Sequence, residues 1–328
     1  MNILVIGAAG MVGRKLVAAL LARGEVGGKT FDGLIAADIV EPEIVAQDDR
    51  VETVAADLSQ QGVAATLIGS RPDLIFHLAA IVSGEAEADF EKGYRVNMDG
   101  TRELFEAIRK ASQSAPYRPK LVFTSSIAVF GEPLPEIIGD THHSTPLTSY
   151  GTQKAIGELL LVDYSRRGFF DGIGIRLPTI SIRPGEPNKA ASGFFSSILR
   201  EPLVGQEAVL PVSETVRHWF ASPRAAVRFL LHAAEIDTAP LGSRRSLTMP
   251  GLAATVGDQI EALRRAAGDD AVKLIRREPD PVVAGIVAGW PKSFDAGRAV
   301  ALGFEAEKSI DEIIRVHIED ELGGSLPG

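Results

Sequence analysis

A glycine-rich turn near the N-terminus constrains the fold more than any other part of the sequence. A short, β-branched apolar strand is predicted over Asn2–Ile6, and a helix pattern runs from residue 11 to residue 23. The stretch that joins them reads Gly7-Ala8-Ala9-Gly10-Met11-Val12-Gly13. Glycines at this spacing between a strand and a helix let backbone N–H groups approach a pyrophosphate at the positive end of the helix dipole. The candidate cofactor-binding residues of the turn are Gly7, Gly10, Met11, Val12 and Gly13, and a purely structural turn is the alternative.

The first half of the chain alternates strand patterns with helix patterns. Further strands are predicted near 34–37, 51–55, 74–78, 120–124 and 172–177, with helices over 61–70, 90–112 and 150–167. This alternation favours a parallel sheet covered by helices on both faces, which is an α/β fold with a doubly wound sheet of the Rossmann type. We predict that residues 1–180 form this domain. Residues 181–328, which begin with frequent prolines and glycines, are predicted to form mainly a smaller substrate-binding domain, with some later segments returning to the first.

The composition excludes several kinds of chemistry. The 328 residues include no cysteine, so disulfides, thiolate nucleophiles, iron–sulfur clusters and cysteine-ligated zinc are ruled out, and no metal site is predicted. Lys and Arg total 34 against 43 Asp and Glu, and the net charge of −9 argues against a nucleic-acid-binding face. No apolar run approaches the roughly 20 residues of a membrane-spanning helix, and no export signal is visible. We therefore expect a cytoplasmic protein with neither membrane nor nucleic-acid partners.

Asp38 ends the second strand of the predicted sheet, 25 residues after Gly13. A carboxylate at this position hydrogen-bonds the ribose hydroxyls of an adenosine and repels a 2′-phosphate. No arginine follows at once to reverse that preference, since the next residues are Ile39, Val40 and Glu41. The sequence therefore predicts NAD rather than NADP as the cofactor, with a solvated loop acid as the alternative.

Tyr150 and Lys154 lie four residues apart on a predicted helix, so they share one face. A tyrosine with its ordinary pKa near 10 is a poor base at neutral pH, but a nearby ammonium group stabilises the phenolate. Such a tyrosine can move a proton while hydride moves to or from a nicotinamide. The pair gains meaning because Ser125 and Ser126 follow the preceding strand, where a hydroxyl can hold a substrate oxygen.

In this order the motifs resemble those of the extended short-chain dehydrogenases/reductases, a family that includes nucleotide-sugar epimerases and dehydratases. The resemblance covers residues 1 to about 185, with a weaker match to about 235. Besides the glycine turn and Asp38, the matching residues are Asp57-Leu58, His77-Leu78-Ala79-Ala80, Asn97, Thr124-Ser125-Ser126-Ile127-Ala128-Val129-Phe130-Gly131 and Tyr150 to Lys154.

The resemblance implies how a cofactor would be held. Asp57 and Leu58 would contact the adenine, and Asn97 would brace the neighbouring helix or a proton-relay water. The other implied contacts with the cofactor are Leu78, Ala79, Ala80, Tyr150, Lys154 and Pro178. Lys154 would bind the nicotinamide ribose, and the family commonly forms homodimers through helices that correspond to those near 90–112 and 150–167.

The resemblance also separates the two serines. In the family the catalytic hydroxyl precedes the Val-Phe-Gly triplet by three residues, which selects Ser126. Ser125 is then expected to be a turn residue that bonds to the backbone, and His77 a packing residue at the end of its strand.

Two departures from the sugar-nucleotide pattern bear on the substrate. Thr179 stands where enzymes acting on sugar nucleotides tend to carry asparagine, and of their diphosphate-gripping motif only Arg217 remains. Arginine suits a carboxylate as well as a phosphate. The segments 24–38, 187–195 and 198–203 resemble the branch of the family that oxidises D-erythronate, a four-carbon hydroxy acid. The implied substrate-binding residues are Ser126, Tyr150, Thr179, Lys189, Ser192 and Arg217, with a solvated loop charge as the alternative for Lys189.

The expected reaction is NAD-dependent oxidation of the 2-hydroxyl of a small sugar acid. Ser126 would position that hydroxyl, Tyr150 would take its proton, and Lys154 would hold the ribose and favour the phenolate. Two alternatives stay open. One is a nucleoside-diphosphate-sugar epimerase or dehydratase that retains its NAD, and the other is a non-catalytic NAD-sensing protein.

Overall fold

The computed structural model describes residues 1–44, 48–185 and 191–326. The chain divides into two compact units. The first unit comprises residues 1–129, 148–176 and 227–247, and the second comprises residues 130–147, 177–226 and 248–328. A single boundary at residue 180 would assign three segments differently, because residues 130–147 and 177–180 group with the second unit and residues 227–247 return to the first.

The regular elements of the described residues follow in chain order. The strands are β1 (Asn2–Ile6), β2 (Glu25–Val26), β3 (Lys29–Thr30), β4 (Gly33–Asp38), β5 (Val51–Ala55), β6 (Leu74–His77), β7 (Lys120–Ser126), β8 (Asp171–Leu177), β9 (Thr179–Ile180), β10 (Ala208–Leu210), β11 (Arg217–Ala221), β12 (Ser246–Thr248), β13 (Leu252–Thr255) and β14 (Ile275–Arg277). The α-helices are α1 (Met11–Arg23), α2 (Val63–Gly69), α3 (Ser83–Ala88), α4 (Phe90–Gly93), α5 (Gly100–Ser114), α6 (Ser149–Arg166), α7 (Phe194–Leu203), α8 (Pro223–Glu235), α9 (Val256–Lys273), α10 (Pro281–Ala288), α11 (Gly297–Ala301) and α12 (Ile310–Glu321).

The first unit is built on a seven-stranded sheet with the order β5-β4-β1-β6-β7-β8-β12. From β1 the chain moves outwards through β4 to β5, then crosses to β6 on the other side of β1, and these neighbouring strands pair in parallel. The result is the doubly wound α/β sheet that the alternating pattern predicts. In such sheets ligands bind beyond the carboxyl ends of the strands where the order reverses, which here is the gap between β1 and β6.

Burial explains why the strand patterns of this unit are easy to read. Residues 3–6 of β1 and all of β6 are buried, as expected of central parallel strands that are covered on both faces. Side chains from α2, α5 and α6, including Leu67, Phe105 and Leu161, pack with Leu4 and Ile75 into one apolar core. This core fixes the strand ends from which the candidate site residues project.

The second unit has its own core and small sheets. Strand β11 lies between β13, which is antiparallel to it, and β9, which is parallel to it. Its core combines Phe220 of β11 with residues of α7, α9 and α12, including Phe195, Leu263 and Ile314. Trp290 packs against this core.

Two local elements are a short apolar helix and a π-helical turn. The apolar run 282–287 belongs to helix α10, because Pro281 occupies the first turn and the Asp280 side chain caps it by accepting from Val282 N and Val283 N. The helix predicted over 90–112 is instead three consecutive segments, with a π-helical turn at Tyr94–Asp99 between α4 and α5. Among the described helices, none is both long enough and apolar enough to cross a membrane.

Candidate functional site

Close packing explains two of the three glycines in the turn after β1. A Cβ atom on Gly7 would lie 2.6 Å from the backbone N of Ala79, and Gly7 has a φ of +94°, which favours glycine. A Cβ on Gly13 would lie 2.0 Å from the carbonyl oxygen of Gly7. A Cβ on Gly10 would meet nothing nearer than 3.4 Å, and Gly10 is exposed. Gly7 and Gly13 are therefore required by the protein's own packing, whereas Gly10 leaves backbone open for the close approach of a ligand.

The N-terminus of α1 has the features of an anion site. Helix α1 begins after Gly10 without any side-chain cap, so no cap side chain bonds to the first-turn N–H groups of Met11, Val12 and Gly13. The positive end of the helix dipole lies at the same place. This uncapped, glycine-opened helix end fits the pyrophosphate of a dinucleotide, and the predicted contacts with a cofactor stay predictions.

Asp38 lies at the carboxyl end of β4, next to the turn. Its Oδ2 accepts a hydrogen bond of 2.9 Å from Ala9 N, and its Oδ1 accepts one of 2.7 Å from Ile39 N. The carboxylate is half-buried and tied to the glycine turn, and it is not a freely solvated loop acid. Each oxygen keeps further acceptor capacity, so the predicted contact with ribose hydroxyls is compatible with these bonds.

The residues after β6 close the other side of the switch point. The N–H groups of Leu78 and Ala79 both donate to Ile6 O, at 2.8 and 3.0 Å, which brings this segment against Gly7. Leu78, Ala79 and Ala80 are each half-buried, so part of their surface remains open for a ligand. The structure therefore brings the candidates after β1 and β6 together.

Asp57 and Leu58 follow β5 and differ in character. Burial raises the pKa of the Asp57 carboxyl, but hydrogen bonds from the Ser59 hydroxyl and N–H at 2.7 and 2.9 Å more than offset this and hold it below its usual value. Leu58 is buried and faces Gly100, where an added Cβ would come within 3.3 Å of the Leu58 Cβ. The predicted contacts of this pair with adenine stay predictions.

Asn97 lies in the π-helical turn and joins three segments. Its Oδ1 accepts from Ile81 N at 2.9 Å, and its Nδ2 donates to Ile81 O at 3.2 Å and to Gln153 Oε1 at 2.8 Å. π-Turns are frequent at functional sites because they turn a side chain away from ordinary helical spacing. These contacts match the bracing role that the resemblance implies, since they hold the segment after β6 against α6.

Tyr150 and Lys154 lie on one face at the start of α6. The Lys154 Nζ is 5.8 Å from the centroid of the Tyr150 ring and donates a hydrogen bond of 2.8 Å to Thr124 O. Lys154 is 3% exposed, and burial lowers the pKa of its ammonium group to about 8, although the negative charge of Glu158 acts in the opposite direction. A desolvated cation beside a phenol ring favours the phenolate, the form that the proton transfer predicted for Tyr150 would require.

The start of α6 packs closely on the turn that follows Ser126. A Cβ on Gly151 would lie only 2.1 Å from Ala128 O, so Tyr150 begins its helix directly against this turn. Ser126 is half-buried, and its Oγ accepts a hydrogen bond of 3.1 Å from Ala128 N. Its hydroxyl proton remains available to a substrate oxygen, because that bond uses only a lone pair.

Ser125 has a different role, and the expected bond to the backbone is wrong. Its hydroxyl donates a 2.5 Å hydrogen bond to Glu158 Oε1, and both residues are buried. Arg176 donates two hydrogen bonds to the same carboxylate, from Nε to Oε1 at 2.9 Å and from Nη2 to Oε2 at 2.7 Å. The sequence analysis did not single out Glu158, although its spacing of four residues from Lys154 placed both on one helix face.

His77 is a packing residue, as expected. Its ring is buried at the end of β6, with Nε2 2.9 Å from the Thr101 Oγ1, which itself donates to Asn97 O. Burial, assisted by the charge of Lys154, lowers the pKa of His77 to about 3. The ring is therefore neutral at pH 7.

The remaining candidates belong to the second unit. Thr179 is half-buried and its Oγ1 lies 2.7 Å from Nε2 of His218. Arg217 is exposed at the start of β11, and its charge contributes to holding the pKa of the Asp258 carboxyl below its usual value, behind the hydrogen bonds that Asp258 accepts from Thr255.

Three further candidates complete the set. Ser192 lies in a 3₁₀ turn and accepts a 2.8 Å hydrogen bond from Arg183 Nη2, so its oxygen is oriented by a cation. Pro178, which joins β8 to β9, is buried. Lys189 lies outside the described residues. No group of three metal-ligating side chains occurs in the part of the chain that the structure describes.

Comparisons with known proteins found a matching family model and several similar proteins. The family model described as the NAD dependent epimerase/dehydratase family matches residues 3–240. Two proteins named D-erythronate dehydrogenase are similar over almost their whole length: that of Cupriavidus necator is 46% identical over 98% of both chains, and that of Haemophilus influenzae is 42% identical over 98% of this chain and 100% of its own. A crystal structure from Agrobacterium tumefaciens, described as a nucleoside-diphosphate-sugar epimerase, is 65% identical, covers 100% of this chain and 96% of its own, and has a TM-score of 0.97.

Proposed function

Because the chain belongs to the NAD-dependent epimerase/dehydratase family, we propose that this NAD-dependent oxidoreductase oxidises D-erythronate at the 2-hydroxyl, giving 2-oxo-D-erythronate. The observation that carries the proposal is the likeness, over almost the full length, to two proteins named D-erythronate dehydrogenase. The placement of Tyr150 beside Lys154 supports the chemistry.

Three side chains of the first unit perform the proton chemistry in this proposal. Ser126 donates a hydrogen bond from its hydroxyl group to the oxygen of the substrate 2-hydroxyl and so orients that group. Tyr150, as the phenolate, accepts the proton of that hydroxyl. Lys154 keeps the phenolate accessible at neutral pH through its positive charge and contacts the ribose of the cofactor. When bound, the nicotinamide supplies the hydride acceptor.

The remaining functional residues are proposed from the same resemblance. The cofactor contacts would be those of the glycine turn, Asp38, Asp57, Leu58, the segment 78–80, Asn97 and Pro178. The substrate carboxylate needs a cation, for which Arg217 and Lys189 are proposed, and the hydroxyls of Ser192 and Thr179 would contact the rest of the acid. A homodimer in the cytoplasm is proposed as the form of the protein, and sedimentation measures that state directly.

The test measures NADH formation by purified protein supplied with NAD and D-erythronate. We expect turnover in the wild type and a loss of at least 100-fold in the Tyr150→Phe variant, because phenylalanine cannot take the proton. Tyr117→Phe is the matched control, since the Tyr117 hydroxyl only donates to Pro72 O at 2.9 Å. It should retain activity close to that of the wild type.

A second candidate is a nucleoside-diphosphate-sugar epimerase, which the description of the 65% identical structure favours. Such an enzyme would keep its NAD and release no net NADH. Turnover of a UDP-sugar by a preparation that is inert towards four-carbon hydroxy acids would favour this candidate and refute ours.

A further inference from the structure

His218, which the sequence analysis did not select, is fixed between two hydrogen-bond partners within the second unit. Its Nδ1 lies 2.9 Å from Pro291 O, and its Nε2 lies 2.7 Å from Thr179 Oγ1. The imidazole is stacked on Phe195, with ring centroids 5.3 Å apart and planes 5° from parallel, and Phe220 meets it edge-on. The residue is 3% exposed, so its ring is shielded from bulk water.

The identity of the first partner determines where the imidazole carries its proton. Pro291 O is a carbonyl oxygen and can only accept, so Nδ1 of His218 must be the nitrogen that bears hydrogen. Burial lowers the pKa of His218 to about 4, although the bond to Pro291 opposes the shift, so the ring is neutral at pH 7. A neutral imidazole has one N–H group, and Nε2 is therefore an acceptor.

The same reasoning then fixes the polarity of Thr179. Because Nε2 can only accept, the Thr179 hydroxyl must donate its single proton to His218. Its oxygen then offers only lone pairs to any other group. An oxygen in this state attracts an O–H or N–H donor and repels a carboxylate or phosphate oxygen, which has no proton to donate.

Thr179 is also placed where a ligand contact is reasonable. It follows the carboxyl end of β8 by two residues and is half-buried, so part of its surface is open. Asparagine, which stands at this position in the sugar-nucleotide pattern, carries an NH₂ group that can donate to a phosphate. A threonine whose proton is committed to a histidine lacks that capacity.

We propose that His218 is a positioning residue that makes Thr179 an obligate hydrogen-bond acceptor, and that Thr179 thereby selects a substrate hydroxyl other than the one oxidised. The inference deepens the proposed function and rests on it, because it takes Thr179 to contact the substrate. The inference specifies a polyhydroxylated acid as the substrate class. The group of this acid that contacts Thr179 is a hydroxyl and not a carboxylate or phosphate oxygen.

The first test does not depend on any activity. In the full-length protein labelled with ¹⁵N-histidine, the ring of His218 should show a protonated Nδ1 and an unprotonated Nε2 at pH 7, with the His218→Phe variant assigning the signals. A ring protonated at Nε2, or a doubly protonated ring at pH 7, would overturn the inference whatever the enzyme turns over.

The second test compares substrates that differ by one hydroxyl. The 3-deoxy and 4-deoxy analogues of D-erythronate each lack one candidate partner of Thr179. In Thr179→Val, which keeps the shape of the side chain, kcat/KM for D-erythronate should fall roughly 10-fold. For the analogue that lacks the partner hydroxyl the same substitution should have little effect, and Thr179→Ser should restore the preference. An equal loss with all three acids would mean that Thr179 acts only structurally.

His218→Phe completes the test, since it keeps an aromatic ring on Phe195 and releases the proton of Thr179. The ratio of kcat/KM for D-erythronate to that for the deoxy analogue should fall, and inhibition by inorganic phosphate should strengthen. An unchanged ratio would contradict the positioning role. If this variant does not fold, the comparison of Thr179→Val with Thr179→Ser on D-erythronate and its deoxy analogues still decides. Failure of the wild type to oxidise any polyhydroxy acid would refute the proposed function, while the position of the His218 proton would be measured independently.

Discussion

Replacing each of two adjacent serines by alanine should have opposite consequences. Ser125 is buried and donates a 2.5 Å hydrogen bond to the Glu158 carboxylate, whereas the half-buried Ser126 only accepts a 3.1 Å bond from a backbone N–H. A hydrogen bond to a buried charge contributes roughly 1.5–3 kcal/mol, and one between neutral groups about 1 kcal/mol. In Ser125→Ala, Glu158 Oε1 keeps its 2.9 Å bond from Arg176. The decrease in the free energy of unfolding should therefore stay below about 3 kcal/mol.

These contacts set the expected sizes of the two effects. For Ser125→Ala the free energy of unfolding should decrease by about 2 kcal/mol, with kcat/KM within roughly threefold of the wild type. For Ser126→Ala the decrease should be about 1 kcal/mol or less, because water can reach the freed N–H group. Its kcat/KM should fall by roughly 100- to 1000-fold, as when a donor to the reacting oxygen is removed.

Urea denaturation gives the free energy of unfolding, and the initial rate of NADH formation gives kcat/KM. Each variant is the other's control, because both changes remove one hydroxyl from neighbouring positions of β7. A stable but inactive Ser125→Ala, together with an active Ser126→Ala, would show that the two roles have been assigned in the wrong order.

Three further predictions concern the turn, cofactor choice and pH. In Gly13→Ala the new Cβ would lie 2.0 Å from Gly7 O, so the turn must move, and the Kd for NAD measured by fluorescence titration should rise more than 10-fold. Asp38→Asn removes the charge that repels a 2′-phosphate, so the ratio of kcat/KM for NAD to that for NADP should fall; an unchanged ratio would exclude this role. The hydrogen bonds from Arg109, which outweigh partial burial, lower the pKa of Glu106 to about 2. The free energy of unfolding of the wild type should therefore exceed that of Glu106→Gln by about 1 kcal/mol above pH 5. That difference should disappear as the pH falls towards 2, and urea denaturation at several pH values measures it.

The parts of the fold that the sequence predicts well are those decided by local patterns. Strand β5 occupies the predicted residues 51–55, and β1 the predicted residues 2–6, because turn signals bound each short run. The glycine turn was recognisable for the same reason, since strand, glycines and helix follow each other without interruption.

The π-helical turn could not be predicted in this way. The apolar residues of α5, such as Leu104, Phe105 and Ile108, continue a helical pattern, and nothing in their spacing shows that the preceding turn is wider. Its position depends on Asn97, whose side chain bonds to Ile81 and Gln153 in distant parts of the sequence. A tertiary contact of this kind leaves no local signal.

The candidate site was predicted where one element carries several of its residues. Tyr150 and Lys154 share a helix, so their spacing was sufficient to pair them. The partners of Ser125 and Thr179 were missed, because Glu158 lies 33 residues and His218 lies 39 residues away in the sequence. Only the fold reveals that Thr179 lies beside His218.

The first unit is discontinuous in sequence, and this has a consequence for synthesis on the ribosome. Its last segment, residues 227–247, supplies the Thr238 hydroxyl and the Arg245 guanidinium, which both bind the Asp171 carboxylate. The backbone O of Arg245 also accepts a hydrogen bond from Gly174 N of β8. A nascent chain that ends near residue 180 already contains β8 but lacks these partners. The sheet of the first unit therefore cannot be completed until β12, residues 246–248, has left the exit tunnel, and a fragment cut at residue 180 should expose an unpaired edge strand and aggregate.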